Sequence, residues 1–182
     1  VHLTGGSKIQ SGVALPGTGF NPNKHQPGAH GDAGDVAITA GSVLLDGGSS
    51  VSSMALDTGR SGNIALKGDT VRLDERAYLA STTDATQLAG RYGIFDPAYD
   101  PDMDQNGNIA VAGEKVTLTG GAYLKSTTRM PYRQAGNIAI TGGQVDLTGA
   151  SSVISNTEPS DMIAAWLKQL KLTVSAKYCD EG

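Results

Sequence analysis

Asp102-Met103-Asp104-Gln105-Asn106-Gly107-Asn108-Ile109 places oxygen-bearing side chains on alternate residues and follows them with a glycine, as the front half of an EF-hand-like calcium loop does. Asp100 adds a carboxylate, so Asp100, Asp102, Asp104 and Asn106 form a candidate calcium set, and calcium is the one cofactor the sequence suggests. The closing glutamate of such a loop belongs where Gly113 stands, and Glu114 comes one place late. His25 and His30, with Asp32 and Asp35 nearby, carry zinc-ligating atoms, but their spacing fits no established zinc pattern. Ser53, Ser81, Ser126 and Ser155 recur at equivalent places without a histidine recurring beside them, and a nucleophilic serine needs a positioned base. Sugar cleavage needs two carboxylates on rigid elements flanking one bond; strand-like segments hold few, Asp74 and Asp146 among them, so catalysis is not expected. Tyr92, Phe95 and Tyr99, with Tyr123 and Tyr132 elsewhere, offer flat faces for stacking on a sugar ring, and the first three are candidate ligand-binding residues.

Most of these residues hang on a framework that repeats itself. Counted from Gly34, Gly62, Gly107 and Gly136, each copy carries an aliphatic residue at plus two (Val36, Ile64, Ile109, Ile138) and alanine at plus three (Ala37, Ala65, Ala110, Ala139). Valine stands at plus nine (Val43, Val71, Val116, Val145), leucine at plus eleven (Leu45, Leu73, Leu118, Leu147), and the serines above at plus nineteen. Val1, Leu3, Ile9 and Ser11 fill the later places of one more copy, so the chain opens in mid-repeat, as a processed product or an excised fragment would. Apolar residues two apart are the period of a strand with one buried face. Three short strands per copy, separated by small residues such as Gly142-Gly143, predict one turn of a triangular solenoid whose strands pair with their equivalents in the next copy. The expected fold is all-β: a right-handed parallel β-helix of about five coils, with a short C-terminal helix and strand.

Residues 1–155 are assigned to this β-helix, with long insert loops at 12–33 and 82–106, and residues 156–182 to a C-terminal cap or assembly segment. The inserts hold 22 and 25 residues, and loops of that length are more often functional than decorative. Beyond Ser155, Ser160 has the features of a helix N-cap, and Met162, Ile163, Trp166, Leu167 and Leu170 share one helical face. Leu170, Leu172, Val174, Ala176 and Tyr178 then alternate as in a strand. That segment could cover an open end of the solenoid, or complete the half-coil that starts at Val1 and Leu3 in a neighbouring molecule; Val1, Leu3, Leu170, Leu172 and Val174 are therefore the candidate assembly residues.

Composition narrows the function. The 25 glycines among 182 residues are about twice the usual share, and aromatic residues make up only 5%, which suits a narrow aliphatic core. A net charge of −4 with no clustered basic face gives no footprint for nucleic acid. No apolar run reaches the length that spans a bilayer, and nothing at the start has the form of a signal peptide. Cys179 is the single cysteine, so an internal disulfide is excluded and a free thiol is expected.

The wording Ala135-Gly136-Asn137-Ile138-Ala139-Ile140-Thr141, followed by Val145-Asp146-Leu147-Thr148-Gly149-Ala150-Ser151-Ser152-Val153-Ile154-Ser155, resembles the filamentous haemagglutinin-type repeats of large bacterial exoproteins. Gly62-Asn63-Ile64-Ala65-Leu66 and Gly107-Asn108-Ile109-Ala110-Val111 share its opening. The resemblance covers residues 1–11 and 34–155. It implies a long β-helix exported by two-partner secretion that works as an adhesin or fibrous surface structure, hence an extracellular or cell-surface location. The expected function is a structural part of such an adhesin or filament, associating with itself end to end. The alternative is a module that binds a host or surface glycan, or a receptor, through the long loops, and a β-helix polysaccharide-cleaving enzyme ranks below both.

Overall fold

A computed structural model of the protein describes residues 1–12, 32–56, 59–84, 106–129 and 134–157. The first, incomplete copy supplies β1 (His2–Leu3) and β2 (Lys8–Gly12). The next two copies supply β3 (Val36–Thr39), β4 (Ser42–Leu45) and β5 (Ser50–Leu56), then β6 (Ile64–Lys67), β7 (Thr70–Leu73) and β8 (Tyr78–Asp84). The last two supply β9 (Ile109–Leu118) with β10 (Tyr123–Thr128), and β11 (Ile138–Leu147) with β12 (Ser152–Thr157).

All pairing among these strands is parallel, and its register is the repeat itself. Val36 pairs with Ile64, Ile64 with Ile109 and Ile109 with Ile138. Leu3, Leu45, Leu73, Leu118 and Leu147 form one continuous column, and Ile9, Val51, Leu79, Leu124 and Val153 another. Alternation puts these aliphatic residues inward: Val43, Leu45, Val51, Ile64, Val71, Leu73, Leu79, Ile109, Val116, Leu118 and Leu124 are each fully buried in a single core shared by both sheets. Their burial is worth about 1.5–3 kcal/mol per side chain and is the main force holding copy on copy.

The expected β-helix with three separate strands per coil is corrected. The strands form two sheets: one of seven strands, ordered β1-β4-β7-β9-β6-β3 with β11 on β9, and one of five, ordered β12-β10-β8-β5-β2. The first two strands of a copy belong to the same sheet, because β9 and β11 each run unbroken for 10 residues through the place where a turn was expected. β9 alone pairs with both β6 and β7. The ladder carries through the bend by bonds from Gly68 N–H to the Ala112 carbonyl (3.0 Å), Asp69 N–H to the Gly41 carbonyl (2.9 Å) and Lys115 N–H to the Asp69 carbonyl (3.0 Å). Glycine here marks a close backbone approach inside a strand, not its end: a Cβ on Gly113 would lie 2.7 Å from the Gly68 carbonyl oxygen, and one on Gly142 would lie 2.8 Å from that of Gly113. The C-terminal helix is also not part of the described fold: there is no helix among the described residues, and 160–178, with Leu170, Leu172 and Val174, lies outside them.

Between the sheets, the connection from the plus-eleven leucine to the next strand is a turn with two residues in left-handed conformation in every copy. Glu75 (φ 48°) and Arg76 (φ 64°) adopt it where the other copies mostly use glycine. The turns bond to one another along the stack, Gly48 N–H to the Glu75 carbonyl (2.8 Å) and Arg76 N–H to the Gly120 carbonyl (3.0 Å). These bonds repay the left-handed strain of the two side-chain-bearing residues.

Candidate functional site

Two polar seams run along the stack and bond layers to one another. In the serine seam, Ser53, Ser81, Ser126 and Ser155 each donate Oγ–H to the carbonyl of the anchor glycine of their own copy, at 3.2, 3.1, 3.4 and 2.9 Å. Ser53 Oγ also accepts the N–H of Gly62 in the following copy (2.8 Å), and Ser61 Oγ, bonded by Ser81 (2.9 Å), accepts that of Gly107 (3.2 Å). Ser53, Ser81 and Ser126 have no exposed surface, and their hydroxyls are engaged by backbone and serine oxygens. This is a clasp between layers, not a nucleophile array.

The second seam is a column of Asp35, Asn63, Asn108 and Asn137. Each side-chain oxygen accepts the backbone N–H of the next member: Asn63 to Asp35 (2.7 Å), Asn108 to Asn63 (2.9 Å) and Asn137 to Asn108 (2.8 Å). Both seams have the same polarity, the side chain of one copy receiving a donor from the copy after it. The anchor glycines are what let the seams close. A Cβ on Gly62, Gly107 or Gly136 would stand 2.3, 2.0 or 2.2 Å from the carbonyl oxygen of the anchor glycine one copy before.

The ends differ from the interior. At one end, β11 and β12 are terminal in their sheets, and Val145, Leu147 and Val153 are 41%, 44% and 40% exposed, whereas Val116, Leu118 and Leu124 one copy earlier are 0% exposed. At the other end, β1 and β2 are terminal, with Val1 53% exposed and Leu3 and Ile9 half-buried. Of the expected assembly residues, Val1 and Leu3 lie at this end, while Leu170, Leu172 and Val174 fall outside the described residues. Val145, Leu147 and Val153 were not singled out in the sequence, although their place in the last copy of each column was readable there. β12 also extends past Ser155 to Thr157, and β8 extends past Ser81 to Asp84, so the second insert begins as strand.

The residues singled out for chemistry fare differently. Asp100, Asp102 and Asp104 lie outside the described residues, as do Tyr92, Phe95 and Tyr99 and the histidines His25 and His30. Asn106 is described and is 2% exposed; its Oδ1 accepts Thr83 Oγ1–H (2.6 Å) and its Nδ2 donates to the Thr127 carbonyl (2.7 Å). Its amide therefore ties two strands together. Asp32 accepts the Arg60 N–H (2.7 Å) and Asp35 that of Asn63, so both belong to the layer bonding. Asp74 is paired with Arg72, and Asp146 accepts from Gln144 (2.8 Å). Among the described residues no group of three or more His, Cys, Asp or Glu side chains is placed to hold a metal ion, and no helix is long and apolar enough to cross a membrane.

On the outer face of the five-stranded sheet, Tyr78 and Tyr123 stack with centroids 4.8 Å apart and planes 2° from parallel. Burial pushes the Tyr123 hydroxyl above its ordinary pKa, with a smaller push from Tyr78. At the first layer, His2 Nε2 lies 3.0 Å from Asp46 Oδ2. That hydrogen bond is the largest of the influences that hold the Asp46 carboxyl below the usual aspartate range.

No family model, curated protein or solved structure matches the chain.

Proposed function

We infer that the chain is a structural segment of an exported bacterial adhesin or extracellular filament, and that it associates end to end through the open edges of its two sheets. One observation carries this reading: core columns that are fully buried through the interior run out at an end where their last members, Val145, Leu147 and Val153, are about two-fifths exposed. Unpaired parallel edges with an apolar inner face are templates for further strands, and an interface that joins unlike ends propagates as a fibre instead of closing. The likeness of the repeat wording to filamentous haemagglutinin-type exoproteins supports the extracellular setting. Stacked, in-register layers suit a mechanical role, since each layer adds a ladder of backbone bonds and both polar seams.

The test is negative-stain electron microscopy and sedimentation of the full chain across a concentration series. Regular filaments or short stacks whose length grows with concentration are expected, and they should shorten when Leu147 is replaced by Lys. Monodisperse particles at every concentration would remove the reading.

A further inference from the structure

We propose that the β11–β12 end of one molecule is the docking surface for the β1–β2 end of a second copy of this chain, joined in the same register that joins neighbouring copies of the repeat. This rests on the assembly reading above and assigns its interface. Val1-His2-Leu3-Thr4-Gly5 occupies the same repeat places as Val145-Asp146-Leu147-Thr148-Gly149, and Ile9 and Ser11 the same places as Val153 and Ser155. Placed as the next layer, the second copy would set Val1 and Leu3 on the exposed Val145 and Leu147, and Ile9 on Val153.

Three features beyond the apolar match fit this occupant. The turns agree: Gly5 and Gly6 have φ 63° and 78°, and Gly149 and Ala150 have φ 62° at both, so the two turns would stack as Gly120 and Gly149 already do. A Cβ on Gly149 would lie 2.8 Å from Gly120 N, whereas a Cβ on Gly5 would meet nothing within 4 Å among the described residues, which marks the side of the turn where a preceding layer belongs. The polar columns also continue. Thr148 Oγ1 bonds Thr119 Oγ1 at 3.2 Å, and Thr4 of the second copy would be the next rung. Finally, the charges are complementary. The only charged side chain in 134–157 is Asp146, and 1–12 carry Lys8 and the imidazole of His2 but no carboxylate. The shared register sets His2 of the second copy directly beside Asp146, on the column that runs His2, Leu44, Arg72, Thr117 and Asp146.

The test uses the full chain with Cys179→Ser, His2→Cys and Asp146→Cys. Within one molecule these two positions are four rungs apart, about 19 Å, beyond the reach of a disulfide, so any bridge is intermolecular. Mild oxidation is expected to give a ladder of dimers, trimers and longer species on a non-reducing gel. Pairing His2→Cys with Gln144→Cys instead, two residues out of register and about 8 Å apart, is expected to give none. Association seen by sedimentation with equal cross-linking of both pairs, or with none, would overturn this interface and leave end-to-end assembly standing. A chain that sediments as a monomer at all concentrations would overturn both. In that monomer, slow hydrogen exchange along β11 and β12 would identify the chain's own segment 158–182 as the cover of this end.

Discussion

The layer of β9 and β10 and the layer of β11 and β12 are built from nearly the same residues in the same order, yet one is core and the other is surface. Val116 and Val145 share a column, as do Leu118 and Leu147, and only the presence of a layer on both sides separates a 0% exposed side chain from one exposed by about two-fifths. In a stacked parallel fold, burial is decided by the neighbour along the axis and not by the alternation within the strand. The hydrophobic pattern of a repeat therefore shows what can be buried, while the ends show what is still open.

The comparison breaks most sharply at the anchor glycines. Gly107→Ala forces a Cβ to within 2.0 Å of the Gly62 carbonyl oxygen, which is held in the serine seam by Ser81, whereas among the described residues Gly34→Ala meets the Ser11 hydroxyl at 3.0 Å. Overpacking against rigid backbone lies at or beyond the top of the usual range, so Gly107→Ala is expected to cost about 3 kcal/mol or more and Gly34→Ala under about 1 kcal/mol, by urea denaturation. Equal costs would mean that the start of the second layer, at Gly34, is as confined as the interior. Next in size is the leucine column. Leu118→Ala should cost about 2–5 kcal/mol, and Leu147→Ala under about 1 kcal/mol in the isolated molecule. A penalty at Leu147 that rises with protein concentration would show the end being covered by another copy.

The columns were legible in the sequence because identical side chains at fixed offsets leave few other registers that bury all of them. What was not legible is how strands join into sheets. Gly142-Gly143 reads as a turn on composition, but the ladder persists through it and through the equivalent Gly113-Glu114, since a glycine that yields to a neighbouring carbonyl bends a strand without ending it. Three strands per copy therefore became two sheets. The packing role of Asn106 is hidden in the sequence for a related reason. An asparagine before Gly-Asn-Ile has the spacing of a calcium loop, and only the tertiary approach of Thr83 and Thr127 reveals that its amide is spoken for.

Asn106 sharpens the comparison from the side of the polar groups. Asn106→Ala removes the partner of the buried Thr83 hydroxyl and of the Thr127 carbonyl, and leaving such groups unsatisfied costs about 1–3 kcal/mol. The expected thermal shift is the same with and without millimolar calcium, because the lost bonds are internal to the strands. A loss that calcium modulates would support a ligand role for Asn106.

The smallest effect concerns how the first layer holds the second. His2 reaches Asp46 across the column, and that hydrogen bond, with lesser help from Thr4 and from the charges of His2 and Arg72, lowers the Asp46 carboxyl against a modest opposing effect of burial. A carboxyl whose folded pKa is depressed adds stability that is fully present above its unfolded value, and it loses that contribution as pH falls through the folded one. The window is therefore acidic, below about pH 4, and neutral solutions should show no change. Asp46→Asn should flatten the acid limb of the melting curve by lowering the neutral plateau slightly, so that the two chains converge in acid. Because the carboxyl is at the surface, the difference should shrink with added salt. Hydrogen exchange locates the effect: amides of β1 and β2 should lose protection at acidic pH in the parent chain, while those of β9 and β10, held between two layers, should keep theirs. Uniform loss across all layers would mean that the first layer does not open on its own, and that the stack responds to acid as one unit.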